Sequence, residues 1–327
     1  MQLNFISNEQ VRALLSPRQA TAAITDALIA GLDPSNDPER SLIPLKDGQF
    51  LIMPAEAKTH TGVKVATVAP GNPERGLPRI QALYLLFDAQ TLAPTAILDG
   101  TALTTLRTPA VSVAAVLPVL TQRSGPLRLA VFGAGQQGVG HVETISGVLN
   151  GKRPVEHVTY IVRNPSRAAV PAAPGQEVIA SGSPEADAAV AAADIIICAT
   201  SSAEPLFDSK LLRSNAIVIA VGSHEPHVRE VDAAFCERAQ VIVEDVATAL
   251  RESGDIVLAI GEGALTREQL IPMRNVVTGA VQLSPDRPVL FKSSGMSWED
   301  LVVASAIVRK HDARSNDRAF ASHLTIR

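Results

Sequence analysis

Hydrophobic and polar positions follow different periods in the two parts of the chain. The first part begins with two helical patterns, each opened by a serine in the N-cap position, Ser7 and Ser16. Short β-rich runs separated by Pro, Gly and Asp then fill residues 41–99, a spacing typical of antiparallel strands. Residues 1–124 are therefore predicted to form an α+β domain.

A long Ala- and Val-rich pattern with no polar face, "LTTLRTPAVSVAAVLPVL", predicts a buried helix, and Pro118 near its end marks a domain boundary. From Leu127 onward, continuous apolar runs alternate with helical patterns, which is typical of parallel strands covered on both faces. The sequence thus predicts an α/β, doubly wound parallel sheet over residues 125–301. The final stretch, about 302–327, is predicted to return to the first domain.

Composition narrows the class of protein. The chain has 327 residues, 46% of them hydrophobic and 19% charged, which is typical of a globular protein. A net charge of -4, 3% aromatics and no cluster of Lys and Arg argue against a nucleic-acid partner. No apolar window is long enough to span a membrane, and the N-terminus lacks a leader pattern. Together with two expected buried thiols, Cys198 and Cys236, this predicts a cytoplasmic protein without a membrane partner.

A glycine-rich turn follows the first predicted parallel strand, in "LAVFGAGQQGVG". Gly133 permits the tight turn, Gly135 allows the backbone to approach a pyrophosphate, and Gly138 lets the helix pack on the strand. Gln136 and Gln137 open that helix. Such a motif alone is weak evidence, but a strand before it and a helix and second strand after it predict a dinucleotide site in a Rossmann-type domain.

The end of the second strand indicates which dinucleotide binds. An acidic residue there accepts hydrogen bonds from the adenosine ribose, but "TYIVRNPSR" places Arg163 and Asn164 at this point, with Arg167 a turn later. Because the planar guanidinium pairs well with phosphate, NADP(H) is predicted to be preferred, with NAD(H) possible. The alternative interpretation is that these arginines are solvated surface residues.

Seven segments in this order, "RSLIPL", "GVKVATVAPGN", "ILDGTALTTLRTPAVS", "VFGAGQQG", "AVGSHEPHVREVD", "ESGDI" and "FKSSGMSWEDLVVA", resemble the ornithine cyclodeaminase/mu-crystallin family. The resemblance covers nearly the whole chain. It implies that the N-terminal domain binds substrate and dimerises, with strands pairing across a two-fold axis. A homodimer is therefore expected, and the substrate is expected to be a small imino or amino acid that carries a carboxylate.

The resemblance further implies that Arg40, Lys64 and Arg107 hold the substrate carboxylate. Independently, Lys64 interrupts the run "TGVKVATVA", Arg107 interrupts an otherwise apolar helix and Arg40 precedes a strand in a loop, and an unpaired cation in such places is costly. Two alternatives stay open at this point. Arg107 can form a structural ion pair with a carboxylate such as Asp99, and Lys64 can lie on the solvated face of a half-buried strand.

The remaining predicted cofactor contacts follow from the family match and from the rule that ligands bind outside the carboxyl ends of parallel strands. They are Thr108, Thr200, Ser201, Val221, Gly222, Ser294 and Gly295. Asp255 and Asp300 are expected to be structural carboxylates. No metal motif is present, so no metal is predicted.

One departure from the family bears on the reaction. Ornithine cyclodeaminases have an Asp where this chain has His224, and an imidazole does not replace a carboxylate that binds an ammonium group. The preferred hypothesis is therefore a ketimine reductase, in which Lys64 or His224 supplies a proton. The alternatives are an ornithine cyclodeaminase, an amino-acid dehydrogenase and a non-catalytic dinucleotide-binding protein.

Overall fold

The computed structural model describes residues 3–324, with side chains for all of these except 4, 73 and 315–324. The chain forms two compact units. The first contains the residues up to Ala27, Asn36–Arg107 and those from Met296 on; the second contains Leu28–Ser35 and Thr108–Gly295. Both borders fall earlier than the domain limits predicted at 124 and 301. The first of them lies within the continuous helix Gly100–Leu120, which contributes residues to both units. The predicted domains stay a prediction.

A six-stranded sheet forms the centre of the first unit. Its strands are β1 (Asn4–Ile6), β2 (Ser41–Leu45), β3 (Gly48–Glu56), β4 (His60–Val68), β5 (Ile80–Asp88) and β6 (Pro94–Asp99). They lie in the order β1-β6-β5-β4-β3-β2, and β2 to β6 pair antiparallel as predicted, while β1 joins β6 in parallel. The edge strand β2 is exposed along its whole length.

Helices accompany this sheet. They are α1 (Asn8–Leu14), α2 (Pro17–Ile29), the first part of α3 (Gly100–Leu120) and α10 (Ser297–Leu324), the last of which packs on β3, β4 and β5. The two predicted N-caps are confirmed, since Gln10 and Gln19 exchange side-chain and backbone hydrogen bonds with Ser7 and Ser16. The expectation that no apolar window is long enough to span a membrane is wrong for α3, which qualifies by length and composition. However, 72% of its apolar window is buried in protein, as in a core helix.

Alternation along β4 determines which residues face the core of the first unit. Gly62, Lys64 and Ala66 are the buried positions of this strand. Across the sheet, Lys64 is in register with Met53 on β3 and Tyr84 on β5, and both of these are also buried. Because residues in register share a face of the sheet, the ammonium of Lys64 enters the covered side.

The second unit contains an entirely parallel eight-stranded sheet, in the order β13-β12-β14-β11-β10-β7-β8-β9. Its strands are β7 (Leu127–Phe132), β8 (Val155–Val162), β9 (Gln176–Ala180), β10 (Ile195–Cys198), β11 (Ile217–Ala220), β12 (Gln240–Val243), β13 (Leu270–Pro272) and β14 (Val289–Lys292). The α/β fold class is confirmed. Four central strands are buried at every position, which explains their continuous apolar runs.

Helices connect these strands: α4 (Gln136–Leu149), α5 (Pro184–Ala192), α6 (Ala233–Arg238), α7 (Val246–Glu252), α8 (Gly254–Gly261) and α9 (Met273–Val277). Both thiols, Cys198 and Cys236, are buried in this unit, and burial raises their pKa, so they are unreactive as expected.

Candidate active site

The glycine-rich turn of the second unit has the geometry of an anion site. Gly133 has φ of 102°, in the left-handed region. A Cβ on Gly138 would lie 2.0 Å from the carbonyl oxygen of Gly133, so only glycine allows α4 to approach β7 this closely. Gly135 is the N-cap of α4, and nothing lies within 4 Å of the place where its Cβ would be. Open space beside the N-terminus of a 14-residue helix fits the pyrophosphate of a dinucleotide.

Two arginines near the end of β8 are exposed. The side chains of Arg163 and Arg167 form no ion pair or hydrogen bond with the part of the chain that the structure describes. Asn164 between them caps a short helical turn, and its Oδ1 accepts hydrogen bonds from the backbone N–H and the hydroxyl of Ser166. The two guanidinium groups are thus available to an anionic ligand, while the Asn164 side chain is engaged.

A buried carboxylate that the sequence analysis missed joins the loops after β10 and β11. Glu230 accepts hydrogen bonds from the backbone N–H of Thr200 at 2.8 Å, from the Thr200 hydroxyl at 2.7 Å and from the backbone N–H of Gly222 at 2.7 Å. Burial raises the pKa of Glu230, although Lys292 and the Thr200 bonds oppose this shift. Because the Thr200 hydroxyl donates to Glu230, its oxygen faces other groups only as an acceptor.

Asp255 and Lys292 extend this hydrogen-bond network to Ser223, which follows Gly222 in the chain. Asp255 accepts the backbone N–H groups of Glu230 and Val231 and the hydroxyl of Ser223. The Lys292 ammonium lies 3.6 Å from Asp255 and donates to the carbonyl oxygen of Ser223. The loop that begins at Gly222 is therefore fixed from two sides, and the contacts of Asp255 fit its expected structural role.

The turn after β14 is held in a similar way. Glu244, directly after β12, accepts hydrogen bonds from the Ser293 hydroxyl at 2.6 Å and from the backbone N–H groups of Ser294 at 2.9 Å and Gly295 at 3.1 Å. The other predicted cofactor residues of this unit differ in exposure. Gln136 and Ser201 are exposed, Gln137 and Val221 are half-buried, and Thr108 is buried.

In the first unit, two of the three predicted basic residues form a buried ionic cluster. The Lys64 ammonium lies 2.7 Å from Asp300 Oδ2. Arg107 pairs with Glu299 through Nη1, and its Nε lies 3.4 Å from Asp300 Oδ1. Lys64 is 3% exposed and Arg107 5%. The interpretation of Lys64 as a solvated strand residue is therefore wrong.

The structural ion pair considered for Arg107 exists, but with different partners. Its carboxylates are Glu299 and Asp300, whereas Asp99 accepts the backbone N–H of Ala102 at the start of α3. Sequence reasoning missed Glu299. It treated Asp300 as structural without finding its contacts with both cations.

Burial changes the proton affinity of this cluster. It lowers the pKa of Lys64 to about 8, and the carboxylate of Asp300 opposes that shift while Arg107 adds to it. Burial also raises the pKa of the neighbouring Tyr84 well above its ordinary value. The Tyr84 hydroxyl has no hydrogen-bond partner among the residues that the structure describes. Tyr84 is fully buried and lies in register with Lys64 on the neighbouring strand.

The first turn of α10 carries both carboxylates of this ionic cluster. Asp37, three residues before Arg40, accepts hydrogen bonds from the backbone N–H groups of Ser297 at 2.7 Å and Trp298 at 3.1 Å. The next two residues of the helix are the carboxylates that hold Arg107 and Lys64. Arg40 itself is half-buried in the loop before β2. One helical turn therefore connects the Arg40 loop with both buried cations.

His224 belongs to the second unit and, unlike Lys64 and Arg107, is not buried. It is exposed in the loop after β11, next to the buried Ser223. Among the side chains that the structure describes, no group of three or more His, Cys, Asp or Glu could hold a metal ion.

Comparison with known proteins places this chain. The model of the ornithine cyclodeaminase/mu-crystallin family matches residues 5–315. A Delta(1)-pyrroline-2-carboxylate reductase of Colwellia psychrerythraea is 29% identical over 94% of this chain and 99% of its own length. The ketimine reductase mu-crystallin of Mus musculus is 30% identical over 93% of this chain and 96% of its own.

A solved structure has the same fold as this chain. The Delta(1)-pyrroline-2-carboxylate reductase of Thermococcus litoralis, in complex with NADH and L-proline, superimposes with a TM-score of 0.83 at 24% identity, over 95% of this chain and 98% of that one. With the match of the family model over nearly its whole length, the chain belongs to the ornithine cyclodeaminase/mu-crystallin family.

Proposed function

We propose that the protein is an NAD(P)H-dependent ketimine reductase that adds hydride to the C=N carbon of a cyclic imino acid. The observation that carries this proposal is the buried pair of cations, Lys64 and Arg107, in a chain whose curated relatives are named pyrroline-2-carboxylate and ketimine reductases. The exposed imidazole of His224, at the position where cyclodeaminases have a carboxylate, favours reduction over loss of ammonia.

The residues have distinct tasks in this reaction. Arg107, with Arg40, binds the substrate carboxylate, because a guanidinium pairs with it through two parallel hydrogen bonds. The bound dinucleotide supplies the hydride. As the new C–H bond forms, the C=N electron pair moves to nitrogen, which takes a proton from Lys64 Nζ. Lys64 is then neutral and regains a proton from solvent. A pKa of about 8 suits a group that donates near neutral pH. His224 is the second candidate donor.

The test of this function is oxidation of reduced nicotinamide by the purified protein with 1-pyrroline-2-carboxylate or 1-piperideine-2-carboxylate. We expect turnover, and a loss of at least about 100-fold in kcat/KM for Arg107→Ala, since a charge-assisted bidentate pair contributes about 3 kcal/mol. Arg163→Ala should leave turnover at saturating NADH unchanged. No oxidation with either nucleotide, together with proline and ammonia formed from ornithine and NAD⁺, would identify a cyclodeaminase instead.

A preference for NADP(H) is part of the proposal. Arg163 and Arg167 support it, because both are exposed and without partners in the described residues, near the end of β8 where the ribose is expected. We expect Arg163→Ala to raise the Kd of NADPH about ten-fold and to leave that of NADH unchanged. Tighter binding of NADH than of NADPH by the unmodified protein would contradict this preference.

We also propose a homodimer formed through the first unit, in a cytoplasmic enzyme. Three large apolar side chains of the edge strand β2 support it, since Leu42, Ile43 and Leu45 are 58%, 47% and 46% exposed. An open apolar edge strand is an aggregation hazard unless another chain covers it. Light scattering after size exclusion should give twice the chain mass, and Ile43→Lys should give the single mass. A monomer at micromolar concentration would overturn this part.

A further inference from the structure

We propose that Asp300 is a positioning residue of the proposed reaction: it holds the Lys64 ammonium in place, and charged, as the proton donor to the imine nitrogen. This inference rests on the proposed reductase function. Lys64 lies in the middle of β4, and two hydrogen bonds to described residues hold the tip of its flexible four-carbon side chain, one to Asp300 at 2.7 Å and one to the Thr104 hydroxyl at 3.4 Å. Asp300 provides the shorter of these two contacts and the charged one.

Asp300 is itself rigidly placed. It is fully buried in the first turn of α10, a position where the helix dipole favours a negative charge. The start of this helix is held by Asp37, which accepts the backbone N–H groups of Ser297 and Trp298. A carboxylate fixed in this way sets where the ammonium of Lys64 lies, because breaking the pair would take the buried ammonium away from the carboxylate that balances its charge.

Charged and titratable groups reach Lys64 from each element packed against its tip. Asp300 and Glu299 come from α10, Arg107 from α3 and Tyr84 from β5, while the residue in register on β3 is the apolar Met53. Burial and Arg107 favour the neutral amine, and Asp300 is the largest influence in the opposite direction. Without the charge of Asp300, Lys64 should lose its proton at a lower pH.

The neighbouring carboxylate has a different partner and provides a matched control. Glu299 pairs with Arg107 and accepts the backbone N–H of Met296 at 3.1 Å, and its charge affects the pKa of Lys64 less than the charge of Asp300 does. Glu299→Gln should therefore disturb the group that binds the carboxylate, whereas Asp300→Asn should disturb the proton donor. The two variants are expected to change different kinetic quantities.

The experiment is the pH profile of kcat/KM for imine reduction by the full-length protein. For the unmodified enzyme we expect a fall above about pH 8. In Asp300→Asn this alkaline limb should move down by at least about one pH unit, which lowers the rate at pH 8 at least about five-fold beyond any loss at pH 6. Asp300→Glu, which keeps the charge, should restore the limb. Glu299→Gln should raise KM and move the limb down by less than Asp300→Asn does. Asp312→Asn, at an exposed site of α10, should behave like the unmodified enzyme.

A structural role alone would lower the rate of Asp300→Asn equally at every pH, and that result would overturn the proposal. A second measurement separates this failure from failure of the reductase function. NMR titration of ¹³C-lysine-labelled protein, with the Lys64 signal assigned through Lys64→Met, should show a lower pKa for Lys64 in Asp300→Asn than in the unmodified protein. If the pKa of Lys64 is the same in Asp300→Asn and in the unmodified protein, the inference is wrong, whatever the activity of the variant. A shifted pKa without turnover of any imine supports the hold of Asp300 on Lys64 and rejects the proposed function.

Discussion

A buried histidine on helix α4 should make the free energy of unfolding fall in mild acid. His141 on α4 is fully buried. Its Nδ1 lies 2.7 Å from the carbonyl oxygen of Gln137, so this nitrogen carries the proton of the neutral ring. Its Nε2 lies 2.9 Å from the hydroxyl of Ser112, whose single proton can go to this nitrogen or to the carbonyl oxygen of Thr108 at 3.0 Å. Burial lowers the pKa of His141 to about 4, although the bond to Gln137 opposes the shift.

The sign and size of the effect follow from linkage. In the unfolded chain this histidine has its ordinary pKa of 6.5, so as the pH falls the unfolded state binds a proton before the folded state does. The stability that is present above pH 6.5 is therefore lost between pH 6.5 and pH 4. With these two pKa values the loss is about 2 kcal/mol at pH 5 and about 3 kcal/mol at pH 4.

Urea unfolding followed by far-ultraviolet circular dichroism, at pH 7.5 and pH 5, measures this loss. His141→Gln keeps a donor and an acceptor but does not titrate, so the unmodified protein should lose about 2 kcal/mol more than this variant between the two pH values. Contributions of other groups cancel in the difference. His227→Gln, at an imidazole that is 72% exposed, should lose as much as the unmodified protein. Equal losses in the unmodified protein and His141→Gln would refute the reasoning.

Three further predictions test local features. Leu92 has φ of 55° and is 65% exposed, so Leu92→Gly should raise the free energy of unfolding by about 1 kcal/mol in thermal denaturation, and a lower value contradicts strain at this turn. Gly138→Ala should lower it by about 2 kcal/mol or more, because its Cβ meets a backbone oxygen, whereas Gly135→Ala should keep stability and weaken NADPH binding in calorimetry. Glu230→Gln should raise the Kd of NADPH about ten-fold, since an amide cannot accept all three hydrogen bonds, and an unchanged Kd would show that the loops hold without it.

The features that the sequence predicted well are local ones. The N-caps at Ser7 and Ser16 depend on residues three positions apart, and the continuous apolar runs of the second unit report burial on both faces of each strand. The glycine turn is also local, since Gly138 meets the backbone of Gly133 only five residues earlier. Where a structural cause lies within one turn or one strand, the sequence contains the whole argument.

The burial of Lys64 could not be predicted from the sequence, because it depends on residues far away in the chain. Alternation along β4 places Lys64 on one face, but the sequence does not tell whether that face is covered. The cover is α10, and the contact that decides the state of the ammonium joins residues 236 positions apart. An isolated strand with a lysine is more often solvated on that side. The alternative was therefore reasonable, and it failed because of a helix at the other end of the chain.

The same physics explains why the buried glutamates were missed. In the sequence, Glu230, Glu244 and Glu299 stand in polar or mixed segments and resemble surface acids. Each is buried because it accepts hydrogen bonds from groups 30, 50 and 192 positions away, at Thr200, at Ser294 and at Arg107. A buried carboxylate is stable only with several donors, and here most donors are loop N–H groups that no helix or strand satisfies. The sequence contains one indication of such burial. An acid directly after a continuously apolar parallel strand, as in "QVIVED", lies at the sheet edge where such loops meet.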